Sequence, residues 1–161
     1  LLQRAGCRRL AVISSEARTA SLLERERVFT AAADAAGMAV SVTRAGPTSY
    51  ASGIEAARRL FGRSSGPDGA FCVTDLLAIG FMDAARHEFG LRIPEDLCVV
   101  GFDDIEQANW ESYRLTTFAQ PVERMADHVA SLFEPGNSGV SERRTFEPTP
   151  VWRRSVRPTA S

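Results

Sequence analysis

The sequence contains no lysine; all 19 of its basic residues are arginine. Two readings fit that bias, a set of guanidinium forks for bidentate anion recognition or the codon usage of a GC-rich genome, and the second is the simpler. Cysteine is scarce as well. Cys7, Cys72 and Cys98 are odd in number, widely spaced and form no CxxC pair, which argues against a disulfide framework or zinc site and for a reducing, cytoplasmic compartment. No apolar run approaches the roughly 18 residues of a membrane span, and the opening LLQRAGCRRL lacks the apolar stretch of a signal peptide. It also lacks an initiator Met, and residues 1–4 read as the last turn of a helix stopped at Gly6, so a piece of a longer protein is expected. No strand is followed by GxGxxG or GxxxxGK[ST], so neither a dinucleotide nor a P-loop nucleotide is expected, and no other cofactor. A net charge of −1 provides no field to gather phosphates, so any contact with DNA must come from elsewhere.

What is present is ordinary globular material: 161 residues, 44% apolar and 24% charged, enough for one core. The apolar pattern alternates between two periods. RRLAVIS (8–14) and MAVSVTR (38–44) read as strands, and between them Leu22, Leu23, Val28, Phe29, Ala32 and Ala33 suit a helix face ending at Gly37. A second helix is read at IEAARRLF (54–61), closed by GRSSGPDG. GAFCVT (69–74) and LCVVGF (97–102) are short continuous apolar runs of the kind buried on both faces of a parallel sheet. Between them, residues 75–90 read as a helix with Asp75 as its cap or first-turn acid. Strand alternating with helix predicts an α/β, doubly wound, mostly parallel sheet. Ligands of such sheets sit beyond the carboxyl ends of the strands, here Ser14–Ser15, Thr74–Asp75 and Asp103–Asp104.

Residues 71–121 carry four linked motifs: CVTDLLAIG, GLRIPEDL, VVGFDD and LTTFAQP. In this order and spacing they resemble the signature of the lactose/galactose-repressor (LacI) family, written C-x-N-D-x-[ML]-A-x-G, G-L-R-[IV]-P-x-D-[IV], V-[IV]-G-[FY]-D-D and L-T-T-x-x-Q-P. Upstream, Arg25 to Phe29 is similar to the family's R-x-x-G-F helix start, and Ser52-Gly53 to its S-G-[YF] helix. The resemblance covers nearly the whole chain, to a basic strand at WRRS (152–155). It implies a two-lobed effector domain of the periplasmic-binding-protein type behind a helix-turn-helix. Residues 1–161 would be the second lobe of that Rossmann-like domain, with 116–135 crossing back toward the first.

The resemblance implies a small-molecule effector, a sugar, nucleoside or purine, and names its contacts. Asp103 matches the acid that accepts from ligand hydroxyls, against the lesser alternative of a loop carboxylate capping the helix near 105. Arg25 matches the arginine that reaches into the cleft, against the alternative of a solvated arginine paired with Glu24 or Glu26, a role that suits Arg27. Thr74 stands where relatives carry asparagine and Thr48 where several place a stacking aromatic, two departures that point to an altered contact set. Ser21 and Gln120 are further candidates, and Val28 replaces the small residue of R-x-x-G-F, implying looser packing of that helix on the sheet.

The other conspicuous residues read as structure. His87 and His128 lack carboxylate or cysteine neighbours at ligand spacing, so no metal is expected. Asp103 and Asp104 resemble a catalytic pair, but neighbours in a tight turn point apart and no nucleophile stands against them, so no enzyme is expected. Trp110 and Tyr113 either line the cleft mouth or cover the sheet edge. Ile79, Met82 and Ala85–Arg86 form a helix face that in relatives meets its twin in a homodimer, and a core-facing stripe fits the same spacing. PVERMADHVASLF (121–133) reads as an amphipathic helix whose apolar face would pack on the first lobe, followed by a hinge at 136–139; without that lobe the helix is expected to drive self-association. The favoured function is effector sensing for a transcription regulator that reaches operator DNA through its helix-turn-helix. The rival is a periplasmic or secreted solute-binding protein for sugar uptake, which shares the fold.

Overall fold

A computed structural model describes residues 1–62, 66–133 and 144–158. Strand β1 (Arg9–Ser14) leads through helix α1 (Ala20–Ala35) to β2 (Ala39–Arg44), and α2 (Tyr50–Phe61) leads on to β3 (Gly69–Cys72). Helix α3 (Asp75–His87) returns to β4 (Cys98–Val100); a 3-10 turn (Glu106–Asn109), β5 (Thr117–Ala119), α4 (Val122–Ser131) and β6 (Thr149–Val151) complete the chain. Four strands form a parallel sheet in the order β2-β1-β3-β4. The antiparallel pair β5-β6 extends it through single parallel bridges, Val100 to Thr116 and Asp103 to Ala119.

The predicted α/β sheet is therefore present, and the reasons are local. β1 buries every residue after Arg9, and β3 and β4 are buried throughout, as their unbroken apolar runs require. α1 stops because Gly37 takes a φ of 68°, which lets Met38 N–H close on Ala33 O at 3.0 Å. α2 begins four residues before its apolar run, because the Ser49 hydroxyl accepts from Ser52 N–H at 3.1 Å. The final strand lies at Thr149–Val151, ahead of the WRRS segment expected to form it. The hinge expected at 136–139 lies outside the described residues.

Right-handed crossovers put α1 on one face of the sheet and α2 and α3 on the other, where these two helices pack together. α3 is thereby enclosed by the sheet and by α2. Ile79 and Met82, expected on a face meeting a second copy, are instead part of this chain's own core, at 4% and 0% exposure. The core-facing stripe is what the structure has, and α3 leaves only Leu76, His87 and the half-buried Asp83 and Arg86 toward solvent. Val28 is not among the residues packed on the core. It is half-exposed, while its neighbour Phe29 stacks on Phe71 of β3 with ring centroids 4.8 Å apart.

Candidate functional site

The chain leaves β1 to the β2 side and returns to the β3 side, so the strand order reverses between β1 and β3. A crevice opens at the carboxyl ends of strands at such a reversal, because the outgoing loops diverge there. Arg25, in the second turn of α1, reaches into it. One of its terminal nitrogens donates to the Val73 carbonyl just past β3 at 2.8 Å and stands 3.1 Å from Oδ1 of Asp103. Its guanidinium lies over the Phe102 ring, 3.8 Å from the centroid.

Arg25 is free to do this because its neighbours are otherwise engaged. Glu24 pairs with Arg27 at 2.8 Å, and Glu26 is held by Arg44. The rival partners foreseen for Arg25 are thus both occupied, and Arg27 has the surface role expected of it.

Asp103 follows β4 with a φ of 125°, and Asp104 follows with 56°. Two successive residues in the left-handed region turn the carboxylates apart: Asp103 toward Arg25, Asp104 to an ion pair with Arg153 at 2.7 Å. The pair is not a dyad. Gln120, at the end of β5, donates from Nε2 to the same Oδ1 of Asp103 at 2.6 Å. The second carboxylate oxygen of Asp103 has no hydrogen-bond partner among the described residues, and neither have Nε and Nη2 of Arg25. One carboxylate oxygen and the outer edge of a guanidinium fork are therefore unpaired among the described residues. Burial raises the Asp103 carboxyl above its ordinary range, opposed by the Arg25 charge and the hydrogen bonds from Gln120 and Arg25.

The loop that carries Asp103 is tied from beneath by Asp75. Of the two roles read for it, cap or first-turn acid, Asp75 has the second, and its fully buried carboxylate accepts from Thr117 Oγ1 at 2.5 Å and from Ile105 N–H at 3.0 Å. Burial raises its pKa too, against the bonds from Thr117 and Ile105. The helix is capped instead by Thr74, whose Oγ1 accepts from Leu77 N–H at 3.4 Å. Thr74 is accordingly buried beneath the rim rather than open on it, with only its hydroxyl proton left to give.

Ser21, Arg25, Phe102 and Gln120 line one open cavity of about 320 Å³. Thr48 stays apart from it, half-buried in the turn before α2 and without a side-chain hydrogen bond among the described residues. Trp110 and Tyr113 are also elsewhere: they stack at 6.5 Å on the outer flank of α3, where the Tyr113 and Tyr50 hydroxyls both donate to Asp83 at 2.8 Å. His87 is exposed at the end of α3, and His128 faces Arg144. Among the described residues no group of three His, Cys, Asp or Glu is placed to hold a metal ion. The contribution of Phe102 was missed, although GFDD placed it one residue from Asp103, because an apolar residue at a strand end reads as core.

A family model described as the periplasmic binding protein-like domain matches residues 1–156. The HTH-type transcriptional repressor PurR of Erwinia tasmaniensis is 36% identical over 108 residues, which are 65% of this chain and 31% of that protein. A LacI transcriptional regulator from a Rhodococcus species has a similar structure, with a TM-score of 0.87, 27% identity, and coverage of 99% of this chain and 60% of that one. The transcriptional regulator CelR in complex with cellobiose gives a TM-score of 0.83 and 30% identity, over 96% of this chain and 48% of that one. The chain spans about a third of the length of the curated relatives it matches.

Proposed function

The chain belongs to the periplasmic binding protein-like domain family, in the form of a LacI/GalR-type effector domain, and from that membership we propose that it senses a small polyhydroxylated effector, a sugar or nucleoside, for a transcription regulator. The observation that carries the reading is the shared Asp103 oxygen. Arg25 and Gln120 both hold Oδ1, so the carboxylate is fixed in orientation while its other oxygen has no partner among the described residues. A vicinal diol fits that edge: one hydroxyl donates to Asp103, and its neighbour accepts from the unused side of the Arg25 fork. Phe102 beneath the guanidinium keeps water from its inner face. Ser21 on the same wall adds a hydroxyl, and Thr74, committed to its helix, contributes at most one donor.

Residues 116–135 would cross to the first lobe, which closes the crevice, and the exposed apolar side of α4 supports that path. Closure would favour one arrangement of two lobes in a homodimer over another, and so alter the grip of a helix-turn-helix on operator DNA. The relatives matched are repressors, which favours cytoplasmic regulation over solute uptake and over catalysis. A thermal-shift screen of sugars and nucleosides on the full-length protein tests the proposal. A hit whose stabilisation vanishes in both Arg25→Ala and Asp103→Ala supports it; a hit unaffected by either substitution overturns this site.

A further inference from the structure

At the end of the sheet opposite the crevice, two of the three cysteines meet. Cys7 precedes β1 and Cys98 opens β4, with β3 between them in the sheet. Such residues would normally be held apart by the intervening side chain. That position is Gly69, which pairs in register with Cys98, and a Cβ there would stand 3.0 Å from both Cβ and Sγ of Cys7. The missing side chain leaves room for the Cys7 side chain beside Cys98, whose own Sγ–H donates to the Pro94 carbonyl at 3.7 Å. Cys7 Sγ–H also donates to the Asp68 carbonyl at 3.3 Å, the same oxygen that accepts Cys98 N–H at 3.0 Å.

Arg157 spans the pair. Its guanidinium donates to Cys7 Sγ at 3.2 Å and its backbone N–H to Cys98 Sγ at 3.4 Å. The carbonyls of Ala5, Pro94 and Glu95 fix that guanidinium at 2.9–3.0 Å. Both sulfurs are buried beside Arg157, which also lines an open cavity of about 650 Å³ together with Arg4 and Val156. Cys72 provides the contrast: it is fully buried, has no cysteine beside it, and burial together with the Asp75 charge pushes its thiol well up.

From this geometry we infer that Cys7 and Cys98 form a reactive dithiol, a modification site at which a hydroperoxide converts the two thiols to a disulfide. Cys98 is the attacking sulfur. The neighbouring Cys7 thiol, with the Arg157 N–H and guanidinium, lowers its pKa against the cost of burial, whereas that of Cys7 is raised. The Cys98 sulfur bonds to one peroxide oxygen as the O–O bond breaks; the other oxygen leaves as hydroxide and takes a proton to become water. The resulting sulfenic acid is attacked by the Cys7 sulfur, the S–S bond forms, the S–O bond breaks, and the second oxygen leaves as water with the Cys7 proton. Two thiols lose two electrons in all, and one peroxide becomes two waters. The bond would fasten the turn ahead of β1 to the start of β4 across β3 and take the Cys7 sulfur from Arg157.

The reduced full chain, treated with hydrogen peroxide under native conditions, alkylated and mapped by peptide mass spectrometry, provides the test. The expected result is a single Cys7–Cys98 linked peptide, an intact mass lower by two hydrogens, and a Cys72 thiol that alkylates only after unfolding. Bonding of Cys72, oxygen adducts without a bond, or three thiols left reduced would overturn the inference. In Cys7→Ser, dimedone should trap a sulfenic acid on Cys98; trapping instead on Cys7 in Cys98→Ser, with none on Cys98, would reverse the assigned order and overturn it. Arg157→Met should slow bond formation several-fold, and an unchanged rate would remove Arg157 from the site.

Discussion

Gly53 and Gly80 face each other where α2 and α3 cross, and neither helix has room for a side chain there. A methyl group on Gly80 would fall on the Tyr50 carbonyl, 2.9 Å from its carbon, and one on Gly53 would stand 2.8 Å from Phe81 N. Because the obstruction is backbone, it cannot rotate away. Gly80→Ala should lower stability by about 3 kcal/mol, the upper range for overpacking. Urea unfolding checks this, and a loss below about 1 kcal/mol would mean that the helices can separate at little cost.

Asp103→Ala should weaken effector binding by about 2–4 kcal/mol in a protein with both lobes, since ligand hydroxyls and the Arg25 guanidinium would both be left buried and unpaired. Arg25→Lys should also weaken it, because an ammonium cannot present two parallel donors while reaching Val73 O. Calorimetry with the screened effector reads both, and wild-type affinity in Asp103→Ala would remove Asp103 from the site.

Replacing the same residue by asparagine should separate stability from function. Burial raises the Asp103 pKa above its ordinary 3.8, so the folded state holds the proton more tightly than the unfolded chain. The associated stability is fully present below the unfolded value and is lost as pH rises through the folded one. Asp103→Asn removes that loss while keeping an acceptor for Gln120. Its melting temperature should exceed wild type at pH 7, and the difference should close as pH is lowered through the raised pKa. A variant less stable than wild type at pH 7 would show that the Arg25 pair outweighs the burial cost.

No residue of α4 is buried, and Val129 and Phe133 are 53% and 82% exposed on its apolar side. Each such side chain contributes roughly 1.5–3 kcal/mol when covered. The 161-residue chain should therefore self-associate through this helix, and Val129→Glu with Leu132→Glu should return it to monomer by light scattering. If both proteins run as monomers, α4 is covered some other way.

The sequence by itself determined the alternation of strand and helix, the burial of β1, β3 and β4, and the acidic rim at Asp103, because hydrophobic period and turn chemistry are set by residues a few positions apart. It determined the family for a similar reason: four motifs in fixed order need no folding to be read. The roles of single side chains were decided only by the tertiary structure. Whether Arg25 would choose Glu24, Glu26 or the crevice depended on Arg44 arriving from β2 to occupy Glu26. Whether Ile79 and Met82 would face a second copy or the core depended on α2 lying over α3, and that Asp75, the first-turn acid of α3, would also brace a loop depended on Thr117 arriving from β5. Cys7 and Cys98 met only because the order β2-β1-β3-β4 put Gly69 between them. Each of these contacts joins elements distant in the chain, where local periodicity carries no information and strand order alone selects the neighbour.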